Sequence, residues 1–98
     1  MFTYRITTDN EVFTLPNSDL DTLQSAVGGY VQLVANPVGE MYANEEGLLM
    51  GLAPNAIATA MAGQFIVGDI AIKCDTAFFD GMVNERESQL TNAEAVAQ

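Results

Sequence analysis

The side chains in this sequence that could do chemistry are mostly carboxylates. The chain has no histidine, so general-base work near neutral pH would fall to a carboxylate of raised pKa. Glu45 and Glu46 are adjacent, and adjacent side chains in a tight turn usually point apart toward water. Asp75 and Asp80 are no better placed, and a metal would have only Asp, Glu and Cys74 as ligands. We therefore expect a solvated acidic turn, a protein that is not an enzyme, and no metal or other cofactor.

The cysteine and the glycines also lack the partners that catalysis needs. Cys74 follows an apolar stretch, where a free cysteine most often behaves as a small hydrophobic residue, and there is no histidine to activate it. The pair Gly28-Gly29 follows a predicted helix, and the glycines lack the spacing and the lysine of a phosphate-binding loop. Turn formation accounts for these glycines.

One stretch concentrates polar residues that a core does not need, and we select it as the candidate binding surface. Its members are Asn44, Glu45, Glu46, Asn55 and Thr59. These side chains could line a recognition surface, and backbone amides there could hold a small ligand. In the competing interpretation, Asn44 and Asn55 accept hydrogen bonds from turn and cap amides while Thr59 packs in a helix. The sequence leaves both interpretations open.

The charge balance excludes more partners than it identifies. Thirteen acidic residues face three basic ones, for a formal charge of −10. Nucleic acids are bound mainly by Lys and Arg, and anionic membranes also attract basic residues, so we expect neither direct nucleic-acid binding nor membrane binding. The favoured partners are proteins with a basic surface, although a negative surface can also serve solubility alone. Because the carboxylates are spread along the chain, they predict a broad negative potential.

Chain length and hydrophobic patterning predict one small domain. Ninety-eight residues are enough for a core without disulfides, and the single cysteine cannot form an internal one. Asp69 and Lys73 interrupt the most hydrophobic stretch, and the N-terminus has no continuous apolar run, so we expect no membrane span and no signal peptide. We predict a compact domain over residues 1–82, a polar helix or tail over 83–98, and a cytoplasmic protein.

The spacing of apolar residues predicts an α+β fold with a small antiparallel or mixed sheet and two short helices. The predicted elements are strands at 2–7 and 12–15, a helix at 19–27, strands at 30–34 and 40–44, a helix over 55–61, and a strand at 65–73 interrupted at Gly68-Asp69. Asn17-Ser18 is the expected N-terminal cap of the first helix, with Asp21 helping the first-turn amides, and Asn55 is the expected cap of the second. Phe78 and Phe79 are predicted to add a last buried anchor.

Several short motifs, taken in order, resemble the domain of unknown function numbered 3846. They are Val27-Gly28-Gly29-Tyr30-Val31, Asn44-Glu45-Glu46-Gly47, Gly51-Leu52-Ala53-Pro54-Asn55, Ala58-Thr59 and Val67-Gly68-Asp69-Ile70. The resemblance covers roughly residues 20 to 73, and Ala53 stands where the family usually has proline. It implies an accessory protein of a bacteriophage or mobile element, located in the host cytoplasm, and it implies no chemistry.

We expect on these grounds a non-catalytic phage-encoded protein that binds and inhibits a host macromolecule, for example in counteracting antiviral defence. The partner would be a host protein with a basic surface. One alternative is a sponge that sequesters a small nucleotide signal near residues 44–59, between subunits of a homo-oligomer. A second alternative is a structural component of the phage. The sequence does not separate these functions.

Overall fold

A five-stranded antiparallel sheet forms the centre of the molecule. The computed structural model describes residues 2–37, 39–75, 79, 81 and 83. In chain order the elements are β1 (Phe2–Ile6), β2 (Val12–Thr14), α1 (Leu20–Val27), β3 (Val31–Ala35), β4 (Gly39–Asn44), α2 (Ala56–Ala62) and β5 (Ile70–Cys74). The strands lie in the order β2-β1-β5-β4-β3, and every neighbouring pair is antiparallel. The predicted α+β class is confirmed, and the sheet is antiparallel rather than mixed.

The last strand lies in the middle of the sheet. β1 with β2 and β3 with β4 form two hairpins, and β5 inserts between β1 and β4. Central strands of this kind are apolar on both faces because both faces are covered. In β5, Ile70, Ala71 and Ile72 are all fully buried, which matches this position.

Each face of the sheet carries one helix. The face with Tyr4, Ile72 and Met41 forms the larger core, against which Ile57 and Met61 of α2 pack. Other buried members of that core are Ile6, Val12, Val34, Ala43, Ala58, Ile66, Ile70, Cys74 and Phe79. The opposite face packs Ala71, Val31 and Tyr42 against Leu23 and Ala26 of α1. Two thin cores therefore share one sheet.

Phe79 provides the buried anchor that the sequence predicted. Its ring is 1% exposed and meets the ring of Tyr4 edge-on, with centroids 5.3 Å apart and an interplanar angle of 68°. Phe78 lies outside the described residues, as does most of the predicted tail over 83–98.

The start of α1 differs from the prediction. Asp19, not Asn17 or Ser18, occupies the N-cap position, and its side chain makes no cap hydrogen bond. Asn17 Oδ1 accepts instead from the Asp19 amide at 3.0 Å and from the Thr22 hydroxyl at 2.6 Å. An Asx turn in front of the helix therefore replaces the expected capping box.

The segment 65–73 is not one strand. Gly68 has φ +80°, a conformation that glycine adopts without strain, and regular pairing begins only at Ile70. Before that turn, Val67 pairs with Pro54 in an isolated bridge. The interruption predicted at Gly68-Asp69 is confirmed, and it aims residues 66–68 at the loop that precedes α2.

Candidate functional site

Asn55, one of the predicted binding residues, lies inside the protein and joins three segments of the chain. It is fully buried, and its Nδ2 donates to the carbonyls of Ile6 at 3.0 Å and Gly68 at 2.9 Å. Its Oδ1 accepts from the Ala58 amide at 3.0 Å, which caps α2 as the sequence predicted. One side chain thus joins β1, the turn before β5 and the start of α2.

Asn44 has a similar role at the end of β4. It is 6% exposed, and its Nδ2 donates to the Val27 carbonyl at the end of α1 at 3.1 Å. Its Oδ1 accepts from the Glu46 amide at 2.8 Å and so starts the turn that follows. The chain reversal after β4 is therefore fixed to α1.

Thr59 holds α2 against the segment before β5. Its hydroxyl donates to the Ile66 carbonyl at 3.2 Å and accepts from the Ile66 amide at 2.9 Å. Of the five predicted binding residues, Asn44, Asn55 and Thr59 therefore use their polar atoms on the protein's own backbone. Glu45 and Glu46 are exposed.

Residues 45–51, which we call the 45–51 turn, form a continuous series of hydrogen-bonded turns. Backbone hydrogen bonds join Gly47 N to Asn44 O at 3.1 Å, Met50 N to Glu46 O at 2.9 Å and Gly51 N to Leu48 O at 3.2 Å. The Leu52 amide donates to Gly47 O at 3.1 Å, which closes the turn. The turn is thus held along its length by its own backbone.

The 45–51 turn is also packed against the segment before β5. A Cβ added to Gly47 would come within 2.9 Å of a Val67 methyl group, and one added to Gly68 within 2.7 Å of Leu52 Cδ1. These glycines permit a close approach that a larger residue would block. The turn is therefore held in place both by its backbone hydrogen bonds and by this packing.

The outer side of the 45–51 turn is apolar. Leu48, Leu49 and Met50 are 73%, 87% and 56% exposed, three consecutive large hydrophobic side chains directed at water. Tyr30, whose carbonyl accepts from the Glu45 amide at 2.9 Å, is 67% exposed. A contiguous exposed apolar segment on an ordered turn is typical of an interaction site. The candidate residues chosen from the sequence were all polar and did not include this segment, although a run of three hydrophobic residues next to a predicted turn was visible in the sequence.

Three grooves lie on the described surface, and one of them reaches Leu52 and Ala53, just after the 45–51 turn. Two of them, of about 350 and 290 Å³, share Arg5, Ser25 and Ala26 beside α1. Between them, Arg5 Nη2 lies 2.8 Å from Asp69 Oδ2, and the Thr8 amide donates to Asp69 Oδ1 at 3.1 Å. The Arg5 guanidinium therefore already has an anionic partner.

The third groove, of about 380 Å³, is lined by Gly39, Glu40, Lys73 and Asp75. Lys73 Nζ lies 3.9 Å from Glu40 Oε1, so both basic side chains in the described part of the chain sit beside a carboxylate. Asn44, Asn55 and Thr59 line none of these three grooves. A nucleotide pocket near residues 44–59 stays a prediction.

Within the described residues, no group of three or more His, Cys, Asp or Glu side chains is close enough to hold a metal ion. No helix in that part of the chain is long and apolar enough to cross a membrane.

Two neutral acids in the sheet have raised pKa values. Burial, and then the charge of Asp75, raises the pKa of the Cys74 thiol above its ordinary 9.0. Partial burial, then the charge of Glu40 and the hydrogen bond from Tyr42 Oη to Glu40 Oε1 at 3.2 Å, raises the pKa of Tyr42 above 10.0. Both groups are therefore held protonated by the fold.

These shifts predict a loss of stability in alkaline solution. Where the folded state binds protons more tightly than the unfolded state, the free energy of unfolding falls as pH rises above the unfolded pKa. We expect no contribution from Cys74 or Tyr42 to the pH dependence below about pH 8, and a decline from about pH 9 upward. Urea unfolding at a series of pH values measures it. The double variant Cys74→Ala/Tyr42→Phe should show a shallower decline, and an unchanged slope would contradict the assignment.

Comparison with known proteins gives one family. The family model described as Domain of unknown function (DUF3846) matches residues 3–94, a longer span than the motifs alone suggested. No curated protein and no solved structure gives a significant match to this chain.

Proposed function

This chain belongs to the DUF3846 family, and from that premise we propose that it is a non-catalytic protein that binds a basic protein surface through the 45–51 turn. The observation that carries the proposal is the exposure of Leu48, Leu49 and Met50 beside the carboxylates of Glu45 and Glu46. Protein interfaces commonly combine an apolar centre with a polar rim. The turn has both parts within six residues.

The order of the 45–51 turn supports tight binding. Ordering a flexible loop on association costs about 0.5–1.5 kcal/mol for each immobilised side chain, in addition to its backbone entropy. Here Asn44 fixes the start of the turn and Asn55 fixes the segment that follows it, before any partner is bound. Under this proposal, the predicted residues Asn44, Asn55 and Thr59 act by positioning the surface, and Glu45 and Glu46 act by contact.

Charge selects the class of partner. The protein carries −10, and Glu45 and Glu46 stand next to the apolar side chains, so a partner with Lys or Arg around an apolar cleft is complementary. Such a partner is attracted over about one Debye length, ~8 Å at physiological ionic strength. Binding is therefore expected to weaken as salt rises.

We propose further that the partner is a protein of a bacterial host, which binding inhibits, and that the protein acts in the host cytoplasm. Two features support this proposal. The family resemblance implies a phage or mobile-element origin, and the 45–51 turn offers an apolar surface beside carboxylates. Counteraction of antiviral defence would be one use of it. The nucleotide sponge and the structural phage component stay predictions, to be tested by calorimetry with nucleotide signals and by the composition of purified virions.

The apolar half of the surface is tested with a matched pair of substitutions. Leu49→Gln removes an 87% exposed side chain from the turn, whereas Leu20→Gln removes a 58% exposed leucine at the start of α1, the helix end remote from the Asn44–Val27 hydrogen bond. We expect Leu49→Gln to weaken binding of a purified captured partner by at least about tenfold, on the scale of an interface hot spot, and Leu20→Gln to leave it within about twofold. Equal effects of the two variants would contradict the proposal.

The charged half is tested by removing carboxylates. Capture from a bacterial lysate on the immobilised full chain identifies basic proteins that are released between about 150 and 500 mM NaCl. The double variant Glu45→Gln/Glu46→Gln should slow association with such a partner and reduce its salt dependence, because rim charges act mainly on the association rate. The control variant Asp19→Asn/Asp21→Asn makes the same charge change on α1 and should have the smaller effect. Binding that is indifferent to salt would rule out the electrostatic part.

A further inference from the structure

We propose that this protein forms a symmetric homodimer in which β3 pairs antiparallel with β3 of a second copy, centred on Leu33. The two sheets would join into one of ten strands. β3 shares no residue with the 45–51 turn, so the proposal does not rest on the proposed function.

The outer edge of β3 presents backbone groups for such pairing. Within the described part of the chain, β3 pairs with β4 alone and lies at one end of the sheet. The Tyr30 carbonyl accepts from the Glu45 amide at 2.9 Å, so by strand alternation Gln32 and Val34 also direct their backbone groups to β4. Val31, Leu33 and Ala35 therefore direct their N–H and C=O groups to the open edge.

The two edges of the sheet differ in how they are protected. Natural sheets block edge pairing with short strands, charged residues, proline or a covering segment. β2 is three residues long, lies between Glu11 and Pro16, and pairs at Val12 with Val83 in an isolated bridge. β3 is five residues long and contains no charge and no proline. Among the residues that the structure describes, the protection seen at β2 is thus missing at β3.

Charge favours a second copy as the occupant of this edge. Two molecules that each carry −10 repel one another wherever carboxylates meet. Residues 22–39, which include all of β3, contain no Asp, Glu, Lys or Arg. A basic partner would gain nothing at this edge, whereas another copy of the chain meets no like charge within it.

The strand is also complementary to itself. In an antiparallel pair centred on Leu33, each Val31 lies opposite an Ala35 of the second copy, and the two Leu33 residues lie opposite each other. All three residues have outward backbone groups, so the pairing allows about six hydrogen bonds. Leu33 is 61% exposed and Ala35 is exposed, and contact would cover these apolar side chains.

Sedimentation of the full-length protein tests the dimer. We expect a concentration-dependent dimer that becomes more stable between about 50 and 500 mM NaCl, because salt screens the repulsion between two negative chains. Leu33→Lys places a charge at the edge and should weaken the dimer by at least about tenfold. Leu49→Lys makes the same change at a more exposed position outside β3 and should leave the dimer within about twofold of its original strength. Circular dichroism confirms that both variants fold.

Cysteine cross-linking tests the register. Directly opposite residues in a hydrogen-bonded antiparallel pair have Cα atoms about 5.5 Å apart, within the range of a disulfide. Thiols introduced by Leu33→Cys should therefore join two copies under mild oxidation. Thiols introduced by Ala35→Cys, on the same face, should not, because they would lie about 13 Å apart. The native Cys74 is 1% exposed and contributes little to cross-linking.

Four results would contradict the proposal. A protein that sediments as a monomer at all salt and protein concentrations has no such dimer. A dimer that Leu33→Lys leaves intact uses another surface. Cross-linking at position 35 without cross-linking at position 33 excludes the register. A dimer that weakens with added salt would contradict the argument from charge.

Discussion

Replacing Asn55 with alanine is expected to lower the free energy of unfolding by about 3 kcal/mol, enough to reduce the melting temperature by roughly 10–20 °C in a domain of this size. The side chain is fully buried and makes three hydrogen bonds, two as donor and one as acceptor. Its removal leaves the carbonyls of Ile6 and Gly68 without this donor and removes the cap of α2. Thermal and urea unfolding measure the loss.

Two further variants separate the roles of Asn55. Asn55→Asp keeps an oxygen for the Ala58 amide but turns a second oxygen toward two carbonyls, so we expect it to lose at least as much stability as Asn55→Ala. Asn17→Ala removes an exposed asparagine from the turn in front of α1. Water can replace its hydrogen bonds, so we expect the free energy of unfolding to fall by at most about 1 kcal/mol. If Asn55→Asp proved harmless, the cap alone would explain the residue.

Asn55 also shows what local sequence patterns can and cannot predict. The pattern of Asn55 before an apolar helical turn predicted the N-cap, and the structure confirms it because the cap needs only neighbouring residues. The same side chain's contacts to Ile6 and Gly68 join segments 49 and 13 residues away. Nothing local to Asn55 indicates them, because they depend on β5 lying between β1 and β4.

The boundaries of the strands likewise show what a local sequence pattern can predict. Alternation identified β1, in which Tyr4 and Ile6 are buried in the larger core. The strand predicted over 65–73 is interrupted at Gly68-Asp69 as expected, but only its second part joins the sheet, as β5, because the apolar residues before Gly68 pack against the loop that precedes α2. A pattern of hydrophobicity reports burial, and it does not distinguish a strand from a buried loop.

The candidate site also contains features that local sequence indicates and features that it does not. Polar residues were selected over 44–59, and three of them serve the backbone inside the protein. The exposed hydrophobic residues Leu48, Leu49 and Met50 lie inside the same stretch, but their exposure became visible only once the turn was built. The sequence thus drew attention to this stretch without indicating which of its side chains are exposed, and its role in binding stays a prediction.

The two proposed surfaces predict opposite responses to salt. Contact between the 45–51 turn and a basic partner weakens as ions screen attraction, whereas pairing of two β3 edges strengthens as ions screen repulsion. Both effects arise from one charge of −10 that is distributed unevenly, with residues 22–39 left neutral. Measuring the molecular mass of the assembly and the binding of the partner in one salt titration would therefore distinguish the two contacts.

Replacing Gly39 with alanine is expected to cost about 3 kcal/mol, at the upper end for overpacking. Gly39 pairs directly with Cys74 at the start of β4, and an added Cβ would overlap the Lys73 carbonyl oxygen and come within 3.3 Å of Cys74 Cα. Backbone atoms of a central strand cannot move aside as a flexible side chain can, so β4 must shift away from β5. Urea unfolding measures the loss.

Gly51→Ala is the matched control for this effect. Gly51 has open space around its Cα but a φ of +69°, so alanine there meets only conformational strain, about 1–2 kcal/mol. A larger loss for Gly39→Ala would identify close approach of two strands as the cause, and equal losses would refute it. Because β3 is attached to the sheet only through β4 in the described structure, displacement of β4 should also weaken the proposed β3 dimer, whereas Gly51→Ala should leave it intact.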